Sequence, residues 1–118
     1  MTAKLSTHIL DTYHGGPAEG VAYALDFLQS SGEWLRLKEG ATNADGRTEG
    51  PLLAGDALKT GTYRLSFGIG SYFKGRGLTL PEPPFLDEVV LQVNLLAGES
   101  YHVPLLTSPW SYSTYRGS

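Results

Sequence analysis

The chain has 118 residues, 41% hydrophobic and 18% charged, with 15 Gly, 7 Pro and no Cys. That length suits one domain, residues 1–118, burying about two-thirds of the surface its unfolded form exposes, and the lack of Cys excludes a disulfide scaffold, a Cys-ligated zinc, an iron–sulfur centre and a thiol nucleophile. Nine Lys and Arg against 12 Asp and Glu give a formal charge of −3, which argues against nucleic acid or an anionic membrane as partner because phosphate binding needs a basic surface.

The first predicted strand runs from Leu5 to Thr12. Strand parity puts Leu5 and Ile9 on one face and Ser6, His8 and Leu10 on the other. After the turn formers Gly15 to Gly20, the apolar residues Val21, Tyr23, Leu25 and Phe27 alternate, the mark of a half-buried strand. A strand over Glu33 to Lys38 follows Ser30-Ser31-Gly32. Asn43-Ala44-Asp45-Gly46-Arg47 is a turn that projects the Arg from a tightly fixed backbone, and Arg is the side chain suited to a planar group with two acceptors. Tyr63, Leu65, Phe67 and Ile69 repeat the alternation. Gly70 to Gly77 is the one segment with helical signal, with Ser71 as N-cap and Gly75 or Gly77 as stop. Thr79 to Pro84 holds three prolines and cannot be a central strand. Strands over Glu88 to Leu95 and Tyr101 to Leu106 complete the set, the second placing His102, Pro104 and Leu106 opposite Tyr101, Val103 and Leu105. Short strands at this spacing predict an all-β antiparallel sandwich with one short helix.

His8 and His102 thus share outer faces with Leu10 and Leu106, and apolar residues on an outer face fit a surface covered by another subunit. From spacing alone, each His reads first as an ordinary surface or interface residue. His14, in a Gly-rich loop, reads as solvated. Ser108 to Ser118 is rich in aromatic and hydroxyl residues and reads as an edge strand packed on the sandwich. No phosphate loop, nucleophile elbow or His-Glu-x-x-His occurs, and the spacing of the histidines does not request a metal. No apolar run opens the chain, so neither a signal peptide nor a membrane span is expected, and cytoplasmic location is the expectation.

Three segments read together carry more. Leu5-Ser6-Thr7-His8-Ile9-Leu10-Asp11-Thr12, Asn43-Ala44-Asp45-Gly46-Arg47-Thr48, and Tyr101-His102-Val103-Pro104-Leu105-Leu106 running on to Tyr115-Arg116-Gly117-Ser118 closely resemble the 5-hydroxyisourate hydrolases, the transthyretin-like proteins of urate degradation. The terminal Tyr-Arg-Gly-Ser separates those hydrolases from the hormone-carrying transthyretins of the same fold. Phe85-Leu86-Asp87-Glu88 departs from the family pattern, outside the three segments.

The resemblance implies a transthyretin-like (prealbumin-like) two-sheet antiparallel sandwich assembled as a homotetramer, a dimer of dimers, with sites in the channel between dimers. It implies a cofactor-free cyclic amide hydrolase of purine catabolism, opening 5-hydroxyisourate to 2-oxo-4-hydroxy-4-carboxy-5-ureidoimidazoline. Carried over by motif, His8, Arg47, His102 and Ser118 are the expected catalytic residues, and Tyr115 with Arg47 the expected substrate-binding ones. The chemistry fits the residue types: a neutral His takes a proton from water, a second returns one to the departing nitrogen, and Arg holds the oxyanion. His102 is provisionally the base and His8 its partner or acid, and Ser118 orients water or an imidazole through its hydroxyl or carboxylate. The alternative is a transthyretin-type carrier using the same channel for an apolar ligand.

Overall fold

The structure is a computed structural model that describes residues 2–117. In place of one strand over Leu5 to Thr12 there are two collinear halves, β1 (Lys4–Ser6) and β2 (Ile9–Asp11), separated by Thr7 and His8. Then come β3 (Gly16–Pro17), β4 (Ala22–Leu28), β5 (Trp34–Ala41), β6 (Leu53–Ala54), a 3₁₀ turn at Gly55–Ala57, β7 (Gly61–Gly68) and α1 (Ile69–Gly75). The chain closes with β8 (Glu88–Leu95), β9 (Tyr101–His102), β10 (Leu105–Thr107) and β11 (Tyr112–Thr114). The strand expected over Tyr101 to Leu106 is therefore also two halves.

One sheet has the order β5-β4-β7-β8 and is antiparallel throughout. The other is formed by β6-β1-β9 and β3-β2-β10-β11. Backbone bonds from the Val103 amide to the Ser6 carbonyl and from the Leu105 amide to the His8 carbonyl, each 2.9 Å, carry the ladder through both breaks. At the centre of this sheet the pairing is parallel, with Leu5 opposite Tyr101, Ser6 opposite His102 and Leu10 opposite Leu106. The antiparallel expectation thus fails for this one pair. Its strands lie at opposite ends of the sequence, so no hairpin turn sets their relative direction.

The core lies between the sheets. Leu5, Ile9, Tyr101, Val103 and Leu105 meet Tyr23, Leu25, Tyr63, Leu65, Phe67 and Leu91, all buried, as the parity of the strands requires. Each fully buried large apolar side chain is worth about 1.5–3 kcal/mol. Pro104, expected on the outer face with His102, is buried because it sits in the break between β9 and β10, where strict alternation lapses.

Helix α1 starts two residues before Ser71, and its N-cap Gly68 makes no side-chain cap bond. Packing outweighs capping here: Ile69, Gly70, Tyr72 and Phe73 are all buried, so Ile69 opens the helix and does not end the strand. Gly70 allows a close approach, since a Cβ there would stand 3.0 Å from the Leu86 carbonyl oxygen. The helix is tied to the second sheet by Asp11, a fully buried carboxylate that accepts from Tyr72 Oη at 2.7 Å and from the His14 amide at 2.8 Å, with His14 Nδ1 2.6 Å away. His14 is therefore not merely solvated; it belongs to this structural cluster and stacks on Phe73.

Candidate active site

The site begins at the break between β1 and β2. Ser6, at the end of β1, is opposite His102, at the end of β9, and both side chains are half-buried on the outer face. His8 sits in the break itself, where Thr7 Oγ1 donates to the Val103 carbonyl at 2.6 Å and fixes the backbone. The rings of His8 and His102 meet edge to edge, nearly parallel at 23° with centroids 4.8 Å apart, and His8 Nδ1 lies 2.7 Å from His102 Nε2. The other nitrogen of His102, Nδ1, is 2.8 Å from Ser6 Oγ.

Arg47 arrives from the Asn43 turn. The Asn43 side-chain oxygen accepts from the amides of Asp45 and Arg47, at 2.9 and 3.1 Å, and the Asn43 amide donates to the Arg47 carbonyl at 2.9 Å. The turn docks on β2 through the Ile9 amide, which donates to the Gly46 carbonyl at 2.8 Å, and Arg47 bridges to His8 as its antiparallel partner. Gly46 has φ 71°, and a Cβ on it would stand 2.5 Å from the Ile9 carbonyl oxygen, so glycine is required there. The exposed guanidinium of Arg47 is thereby held on a rigid turn beside the histidine pair.

The end of the chain folds back onto the same place. Gly117 exchanges backbone bonds with His102, donating to its carbonyl at 2.6 Å and accepting from its amide at 3.3 Å. Arg116 packs its guanidinium 4.3 Å from the centre of the Tyr101 ring and donates to Glu99 and the Ser100 carbonyl, both at 3.2 Å. Tyr115 is exposed, 58% accessible, beyond the edge strand β11. Ser118, expected among the catalytic residues, lies outside the described residues. The expected His8, Arg47 and His102 come together, with Ser6 and Gly117 added. Strand parity had put Ser6 on the face of His8, which was the signal for it; the Gly117 bridge left none beyond its place in the terminal motif.

The electrostatics favour neutral rings. Burial lowers the pKa of His8 below its ordinary 6.5, and the neighbouring His102 and Arg47 lower it further; burial and then Arg47 lower that of His102. Two imidazoles joined by a hydrogen bond, uncharged near neutrality and beside a permanent cation, can accept a proton from water, pass it between them and steady a developing negative charge. A separate concavity of about 550 Å³ on the outer face of the β5-β4-β7-β8 sheet includes Asp26, Arg36 and Arg64 but none of these groups.

A two-sheet sandwich whose outer face carries an imidazole pair and a guanidinium defines a transthyretin-like protein with a polar surface site. Residues 5–117 match the model of the HIUase/Transthyretin family. The 5-hydroxyisourate hydrolase of Ralstonia nicotianae is 50% identical over 118 residues, covering 98% of both chains. A crystal structure of (S)-allantoin synthase superposes with a TM-score of 0.93 at 41% identity, covering 99% of this chain and 44% of that one. Sea bream transthyretin in complex with thyroxine superposes with a TM-score of 0.87 at 28% identity, covering 98% of this chain and 95% of that one. The chain belongs to the HIUase/Transthyretin family.

Proposed function

We propose that this protein hydrolyses 5-hydroxyisourate, adding water to a ring amide to give 2-oxo-4-hydroxy-4-carboxy-5-ureidoimidazoline in urate degradation. The observation that carries the reading is the 2.7 Å bond between His8 and His102 on an outer face beside Arg47, in a chain half identical to a 5-hydroxyisourate hydrolase. Both nitrogens of His102 are engaged, one by His8 and one by Ser6. Nε2 of His8 has no partner among the described residues, so His8 is the ring that meets water and His102 the ring that shares the proton. This reverses the provisional order in which His102 was the base. Arg47 holds substrate oxygens and the oxyanion, Tyr115 contributes to substrate binding and Ser118 to catalysis as the family motif implies, and the active species is a homotetramer whose second copy covers the open face.

Transthyretin-type carriage of an apolar ligand fits less well. A carrier's wall gains from apolar lining, whereas here a line of three polar side chains and a guanidinium would lose water without compensation on binding such a ligand. The test is to generate 5-hydroxyisourate in place from urate and follow the decay of its ultraviolet absorbance with and without the protein. Acceleration is expected, and His8→Ala, Arg47→Ala or His102→Ala should each lower kcat by roughly a hundredfold or more, the scale of a positioned acid, base or oxyanion group. No acceleration by the wild-type protein, together with thyroxine binding, would favour the carrier.

A further inference from the structure

Ser6 closes β1 with its hydroxyl 2.8 Å from Nδ1 of His102, and the register that brings it there is the parallel pairing of Ser6 with His102. Nε2 of the same ring faces Nδ1 of His8. Ser6, His102 and His8 therefore form one continuous line of hydrogen bonds. Ser6 also lines a cleft of about 240 Å³ with Thr7, Arg47 and Thr48, so its own hydroxyl hydrogen has water available to it.

We propose that Ser6 is a positioning residue of the hydrolytic pair, acting through His102: it orients that imidazole and accepts its Nδ1–H throughout the reaction. The inference rests on the hydrolase reading above. In the resting state His8 carries its hydrogen on Nδ1 and offers a lone pair at Nε2, while His102 carries its hydrogen on Nδ1, donated to Ser6, and offers a lone pair at Nε2 to His8. When water adds to the amide carbonyl, the new C–O bond forms, the carbonyl electron pair moves to oxygen beside Arg47, and the water proton passes to His8 Nε2. The hydrogen on His8 Nδ1 passes to His102 Nε2, so His102 becomes an imidazolium whose Nδ1–H rests on Ser6. When the oxyanion collapses and the C–N bond breaks, the protons return in reverse order and the departing nitrogen takes the one on His8 Nε2. Water is added, and the three side chains end as they began.

A hydroxyl suits this place for a physical reason. It accepts from a neutral or a charged imidazole, so the bond survives both states, and it carries no charge that would lift the pair into the protonated range near pH 7. A methyl there would leave Nδ1–H without its acceptor and the imidazolium without that support.

The test compares wild type with Ser6→Ala and Ser6→Thr as full-length assembled protein. Ser6→Ala is expected to lower kcat about tenfold, the weight of one neutral hydrogen bond, with KM little changed. The acid limb of its rate profile should move to lower pH, because the charged ring loses an acceptor, and Ser6→Thr should restore most of the rate. Nitrogen-15 NMR of the imidazoles in the wild-type protein supplies a readout free of folding or activity: His102 should carry its hydrogen on Nδ1. Unchanged kcat and acid limb in Ser6→Ala, or His102 found as the Nε2–H tautomer in wild type, would overturn the role of Ser6. A wild-type protein inactive on 5-hydroxyisourate would instead remove the hydrolase reading and leave the tautomer measurement to decide the Ser6 contact.

Discussion

His8 and His102 are neutral near pH 7 because burial on this partly covered face costs a charged imidazole part of its hydration, and Arg47 adds repulsion. The rate should therefore stay level above the ordinary imidazole value of 6.5 and decline only once the pH falls through the depressed values. Stability has the same sign. As the pH drops below 6.5 the unfolded chain takes up protons first, so the native state loses stability from there down to the folded values. Asp11 adds a second loss at lower pH. Burial alone would raise its pKa, but the hydrogen bonds from the His14 amide, Tyr72 and the His14 ring outweigh burial and hold it below 3.8, so its contribution disappears as the carboxylate protonates. Urea midpoints measured between about pH 4 and pH 8 should fall on the acid side. A midpoint that rose on acidification would contradict the buried neutral pair.

Two elements aim the site, and each can be altered without touching the histidine pair. Gly46 seats the Asn43 turn on β2, and its positive φ and the contact with the Ile9 carbonyl leave no room for a Cβ. Gly46→Ala should cost about 1–3 kcal/mol in stability and, by displacing Arg47, lower kcat more than tenfold. Thermal unfolding and steady-state kinetics on one preparation check both. The returning chain end is the second element. Its Arg116–Glu99 pair is exposed and adds little stability, while the Gly117 bridge braces the backbone of His102. Removing residues 115–118 should abolish turnover while the unfolding temperature moves little; a truncated protein with a near wild-type rate would reduce the tail to the trim of an edge strand.

Across the whole molecule, the site face is open in the single chain. Leu10 and Leu106 lie side by side on it, half-buried. Such a face is expected to be covered by a second copy. Light scattering should give four times the 12.7 kDa chain mass, and Leu106→Glu should split the assembly and remove activity together, since a carboxylate in an apolar interface is costly. A wild-type mass equal to one chain, with full activity, would refute the shared site.

Alternation along Leu5 to Ile9, Val21 to Phe27, Tyr63 to Phe67 and Tyr101 to Leu105 is enough to assign strands and to put His8 and His102 on outer faces, because side-chain direction in a strand is a local property with period two. The turn at Asn43 to Arg47 was legible for the same reason: an Asn side chain and a positive-φ glycine fix a turn within a few residues. What parity could not supply was partnership. That the first strand runs parallel to the Tyr101 strand, that the register sets Ser6 against His102, and that Gly117 returns to the same histidine all depend on which distant segments meet, a choice made by the burial of both sheets' inner faces together. The helix start was misplaced for a related reason, since packing of Ile69 and Phe73 outweighed the local capping preference of Ser71. The residue types for proton transfer are written in the sequence; the 2.7 Å that joins two histidines 94 positions apart is decided only in the folded sheet.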